Sequence, residues 1–61
     1  MNVQTDALVA VQRIRAAERK LAGARYDLAR ADGHPNDAHK ARAKLGEAVE
    51  LLGQALQQVT P

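Results

Sequence analysis

Few side chains in this 61-residue sequence are of a type that does chemistry, and the most suggestive stand together: His34, Asp37 and His39. Imidazoles and a carboxylate are metal ligands, but this spacing matches no established zinc pattern and no fourth ligand accompanies them. Capping and solvation of a turn are the roles expected of the three, with no metal and no cofactor. The chain has no serine and no cysteine. That removes the commonest nucleophiles, a thiolate site and a disulfide framework, and it fits a reducing compartment. No catalytic activity and no small-molecule ligand are expected, since so short a chain forms no cavity to hold a nucleophile and its base away from water.

A second group is basic: Arg13, Arg15, Arg19, Lys20 and Arg25. Aligned on one stripe they would meet phosphates, but their spacing spreads them around a helix. Nine basic and seven acidic residues leave a net charge of only +2, and Tyr26 is the sole aromatic. No stacking platform for single-stranded nucleic acid follows from that. A dimeric four-helix bundle gripping structured RNA or DNA stays an alternative reading.

What positions these residues is a pair of helices. Thirteen alanines, with Leu, Arg, Lys, Gln and Glu, make two stretches of good helix formers, interrupted only at residues 31–37, where Gly33 and Pro35 lie. The expected fold is all-α, one antiparallel two-helix hairpin spanning residues 1–61, with helix 1 at about 5–31, a turn at 32–35 and helix 2 at about 36–59. Gly33 is expected to close helix 1 in the left-handed conformation, and Pro35 to stop it.

The heptad pattern fixes the alignment. Ile14, Leu21 and Leu28 occupy position a of helix 1, with Ala10, Ala17, Ala24 and Ala31 at d; in helix 2 Leu45, Leu52 and Val59 take a, while Ala41, Ala48 and Ala55 take d. Folding at His34 and Pro35 pairs residues whose numbers sum to 69, such as Ile14 with Ala55 and Leu28 with Ala41. Apart from the small pair Ala31 and Ala38 beside the turn, each such layer sets one large residue against one alanine. The expectation is an alanine-rich antiparallel coiled coil with axes about 8 Å apart and bulky side chains filling the space between them.

Ten of the thirteen Leu, Ile and Val residues lie toward the end away from the turn, Val3 among them. The seam needs only some of these. On the flank of positions b and e, Leu8, Val11, Val49 and Leu56 adjoin Gly46 and Gly53, and a lone hairpin leaves them bare. Glycine inside a helix costs about 1 kcal/mol relative to alanine, so two of them a heptad apart suggest that another backbone approaches. Toward the turn the same flank turns basic, with Arg15, Arg25, Arg42 and His39 against Glu18 alone.

This flank is the expected partner-binding site, with Arg15, Arg25 and Arg42 as basic contacts. The expected function is a non-enzymatic protein–protein interaction module, a small cytoplasmic co-chaperone or adaptor that completes a helical bundle with a protein partner or, most simply, by dimerisation. A regulator encoded by a phage or mobile element, occupying a helix groove of a host protein, would need the same flank. No apolar run approaches the ~20 residues that cross a bilayer, and Met1 to Asp6 has no leader-like character, so no membrane partner is expected.

At Asp27-Leu28-Ala29-Arg30, the short turn with Pro35, and Leu45, Val49, Leu52 and Leu56, the second half of the chain resembles the helical-hairpin co-chaperones of type III secretion needle subunits. That resemblance implies a cytoplasmic protein that joins a tetratricopeptide-like chaperone to keep a needle subunit soluble. Helix 2 opens on Asn36-Asp37-Ala38-His39, where that family carries tyrosine and glutamine. In size and hairpin form alone the chain is also similar to the dimeric RNA-binding regulators of plasmid copy number.

Overall fold

The computed structural model describes the backbone of residues 3–60 and the side chains of residues 5–60. Two helices account for nearly all of it: α1, Val3–Arg30, and α2, Pro35–Val59. They lie side by side as a hairpin whose Cα atoms fill a slab of 49 × 13 × 9 Å. Alanine and long unbranched side chains lose little freedom on entering a helix, so both elements run without interruption. Val3, counted above among the surplus apolar residues, has its side chain outside the described residues.

The turn is tight and right-handed. Gly33 donates its backbone N–H to the Arg30 carbonyl, His34 donates to Ala31, and Asp37 donates to His34, all across three residues. No glycine among the described residues has a positive φ, which corrects the left-handed closure expected of Gly33. Three-residue hydrogen bonds satisfy the last carbonyls of α1 without that conformation. Pro35 starts α2 in its first turn, where a missing N–H costs nothing, and His34 precedes it as cap residue without a side-chain cap bond. At the far end the Thr60 hydroxyl donates to the Leu56 carbonyl at 2.6 Å.

The core is made of alanine alone. Ala10, Ala17, Ala24, Ala41, Ala48 and Ala55 are 0–5% exposed, and no large side chain among the described residues is fully buried. All six are at position d. The large residues at a are 39–58% exposed, from Leu45 to Val59, which corrects the expectation that they fill the space between the axes. With only methyl groups on the line of contact, the helices come too close to admit a branched side chain between them. Each helix therefore turns its d row toward its neighbour, and position a, about 60° away on the helical wheel, swings out to one side.

The expected register agrees with the contacts across the seam. Asp27 meets Lys44, Lys20 meets Glu47, and Arg30 meets Asp37, pairs whose numbers sum to 71, 67 and 67 around the expected 69.

Candidate partner-binding face

Turning every a position the same way gives the hairpin two unlike broad faces. In an antiparallel pair, positions a and e of both helices fall on one side and positions g and c on the other. The first side carries Ile14, Leu21, Leu28, Leu45, Leu52 and Val59 at a, Val11, Val49 and Leu56 at e, and Leu8 at b. Apart from Tyr26, these are all the exposed large apolar side chains among the described residues.

The expected site residues are placed as follows. Leu8, Val11, Val49 and Leu56 are all exposed, and Gly46 and Gly53 stand beside them on α2 with nothing within 4 Å of where a Cβ would be. Among the described residues, therefore, no other backbone approaches those glycines. Arg25 and Arg42 are exposed toward the turn on the same side, and Arg15 is exposed nearer the middle. Arg25 borders a shallow depression with Glu18, Leu21 and Ala22.

Sequence reasoning did not count the six a residues as part of this face, because it assigned them to the seam. A signal for them exists: alanine at every d position forces the large partners of each layer off the contact line.

The opposite face is polar and braces the hairpin. Lys44 Nζ donates to Asp27 Oδ2 at 2.6 Å, and Asp27 is only 6% exposed. Both residues stand at g, flanking the alanine seam. The Lys44 stem crosses α1 over Gly23, where an added Cβ would lie 3.1 Å from Lys44 Cδ. Glycine there lets the lysine lie down on the neighbouring helix and reach the buried carboxylate. Lys20 and Glu47 form a second pair at 2.6 Å, about half exposed and worth at most about 1 kcal/mol. Arg13, Lys20, Glu47, Glu50, Leu51 and Gln54 line one shallow depression of this face.

The basic residues of α1 thus divide between the faces. Arg15 and Arg25 stand on the apolar side, while Arg13 and Lys20 stand on the polar one, with Lys20 engaged by Glu47. They form no single stripe for a phosphate backbone.

At the turn, Arg30 gathers a small network. Its guanidinium donates to the Tyr26 hydroxyl at 3.0 Å, lies 5.5 Å from the ring centroid and stands 3.7 Å from Asp37. Tyr26 first, and the Asp37 carboxylate after it, push the Arg30 pKa above its ordinary value. Asp37 also stands 3.7 Å from Lys40. His34, Asp37 and His39 do not converge, and no set of three potential ligands for one ion occurs among the described residues. No described helix is long and apolar enough to cross a membrane.

No protein-family model matches the chain, and neither a curated protein nor a solved structure is significantly similar to it. The physical arrangement of the two faces is what bears on function.

Proposed function

We propose that the chain is a non-enzymatic protein–protein interaction module that packs its apolar face against helices of a partner, in the manner of a small cytoplasmic adaptor or co-chaperone. One observation carries this reading. Every large apolar side chain on that face is left about half in water, while the buried apolar core among the described residues consists of six alanines. A 61-residue chain is near the size at which a full hydrophobic core only just outweighs chain entropy. A core of methyl groups falls short of that, so the missing burial has to come from outside the hairpin.

The face has the extent and pattern of an interface. Soluble monomers rarely expose contiguous apolar patches beyond a few hundred Å2, and larger ones rimmed by polar groups mark association surfaces. Val11 and Leu56 lie on it toward the open end, and Arg15, Arg25 and Arg42 form its basic continuation. Helix-on-helix docking suits two parallel rows of side chains spaced by heptads.

The test is to compare the assembly formed by the wild-type chain in its native host with that of Val11→Asp and Leu56→Asp. Burying an unpaired carboxylate in an apolar interface costs several kcal/mol. Both variants are expected to run alone in size exclusion with light scattering, while keeping a helical circular dichroism signal at low temperature. Variants with the same mass as wild type would mean that this face is not where the partner sits.

A further inference from the structure

We propose that the occupant of the apolar face is a second copy of the chain, laid antiparallel on it about a two-fold axis that runs across the face, at right angles to the helices, at the level of Arg19 and Glu50. This deepens the interaction-module reading and rests on it. Four observations converge on it.

The first is relief. From the turn to the open end the half-exposed large residues alternate between the helices: Leu28 on α1, Leu45 on α2, Leu21 on α1, Leu52 on α2, then Ile14 and Val59. Beside each of these, on the other helix, is a buried alanine and hence a notch. The face is a staggered row of knobs and holes. An axis at Arg19 and Glu50 sets α1 on the partner's α1 and α2 on the partner's α2, pairing residues whose numbers sum to 38 and to 100. Leu21 then stands over the partner's Ala17, Leu52 over the partner's Ala48 and Leu45 over the partner's Ala55. Every knob meets a hole, and each layer of the resulting four-helix bundle holds two large and two small residues.

The second is the pair of glycines. Gly46 and Gly53 lie three or four residues to either side of Glu50, on the α2 edge of the face, with open space where a Cβ would be. The same axis brings Gly46 to within one residue of the level of the partner's Gly53, letting two copies of α2 approach there. That gives both glycines a use which the hairpin alone does not.

The third is charge. Arg25 and Arg42 stand toward the turn, with Arg15 nearer the middle. Two copies laid parallel would gather these cations at one end of the bundle. The antiparallel arrangement sends them to opposite ends, where Arg25 and Arg42 come within two residues of the level of the partner's Val11 and the partner's Leu56, so that their stems can cover these side chains with the charged heads in water.

The fourth is area. The exposed large apolar side chains of this face, 39–70% exposed, offer on the order of 900 Å2 per copy, and a stable interface takes about 800 Å2 from each partner.

The full chain, examined by sedimentation across a range of concentrations, is expected to be a dimer of twice 6.6 kDa. With no native cysteine, single-cysteine variants read the orientation. Val49→Cys lies beside the proposed axis and is expected to form a disulfide-linked dimer under oxidation. His39→Cys, near the turn, is expected to stay uncrosslinked, because the two turns lie at opposite ends. Crosslinking through His39→Cys and not Val49→Cys would overturn the antiparallel arrangement. A chain that stays monomeric at every attainable concentration, folded or not, would overturn the second copy as occupant. If that monomer still loses a native-host partner through Leu56→Asp, the interaction-module reading stands without this inference. A dimer indifferent to Val11→Asp and Leu56→Asp would sink the apolar face itself.

Discussion

Lys44 and Asp27 are 17 residues apart in sequence and 2.6 Å apart in space, and among the described residues they are the one charge-paired contact of the seam in which a partner is buried. The two ends of this pair differ in their access to water. The Lys44 side chain is 37% exposed and that of Asp27 is 9% exposed. Lys44→Ala strands a carboxylate with little water around it, whereas Asp27→Ala leaves an ammonium that solvent reaches. We expect Lys44→Ala to destabilise by about 1–3 kcal/mol and Asp27→Ala by less. Thermal melts of both single variants and the double variant, at one protein concentration, give the coupling. Additive effects would mean that the contact contributes nothing to stability.

Gly23 belongs to the same contact. Replacing a mid-helix glycine with alanine ordinarily stabilises by about 1 kcal/mol. Here the new Cβ lies 3.1 Å from Lys44 Cδ, so the lysine must shift away from Asp27. Gly23→Ala is expected to yield little or no gain in wild type and to recover its gain when Lys44 is also alanine. Equal gains in both backgrounds would show that the lysine stem does not depend on the glycine.

The alanine seam sets a limit on size. Ala17 and Ala41 are 0% exposed and Ala48 is 1% exposed. Ala17→Leu or Ala48→Leu must push the helices apart, and overpacking of this kind costs about 1–3 kcal/mol. Ala43→Leu, at an exposed outward position of α2, is the control and is expected to change the melting temperature little. If Ala17→Leu and Ala43→Leu melt alike, the helices are not in the close contact described.

Gly33 gives a fourth measurement. Its φ is not positive, and nothing lies within 4 Å of an added Cβ. Gly33→Ala is therefore expected to be neutral or to stabilise by about 0.5 kcal/mol, through a less flexible unfolded chain. A left-handed closure would instead make that substitution cost about 1 kcal/mol or more. A drop in melting temperature would reinstate it.

Both helices, the break at Gly33 and Pro35, and the register of Ile14 on Ala55 were legible in the sequence because each rests on a local or periodic signal. Pro35 has one favoured place in a helix, and the alanines recur every seven residues. The rotation of the helices about their own axes was not legible in the same way. Heptad notation treats a and d as equal partners in a seam, whereas Leu21 and Ala48 compete for it, and the methyl group wins by allowing closer approach. The bare flank of Leu8, Val11, Val49 and Leu56 was read correctly as exposed, but its continuation through Leu28 and Leu45 followed only from that rotation. Asp27 with Lys44 went unread because opposite charges at two g positions are common on helices. What singles them out is Gly23, whose missing side chain means something only once the neighbouring helix is in place.

A slab one helix thick has no interior layer shared between its two sides. Glu47, Lys20, Asp27 and Lys44 look one way, and Leu21, Leu45, Leu52 and Leu56 look the other, with only methyl groups between. A change made on one side can therefore be felt on the other only through that sheet of alanines.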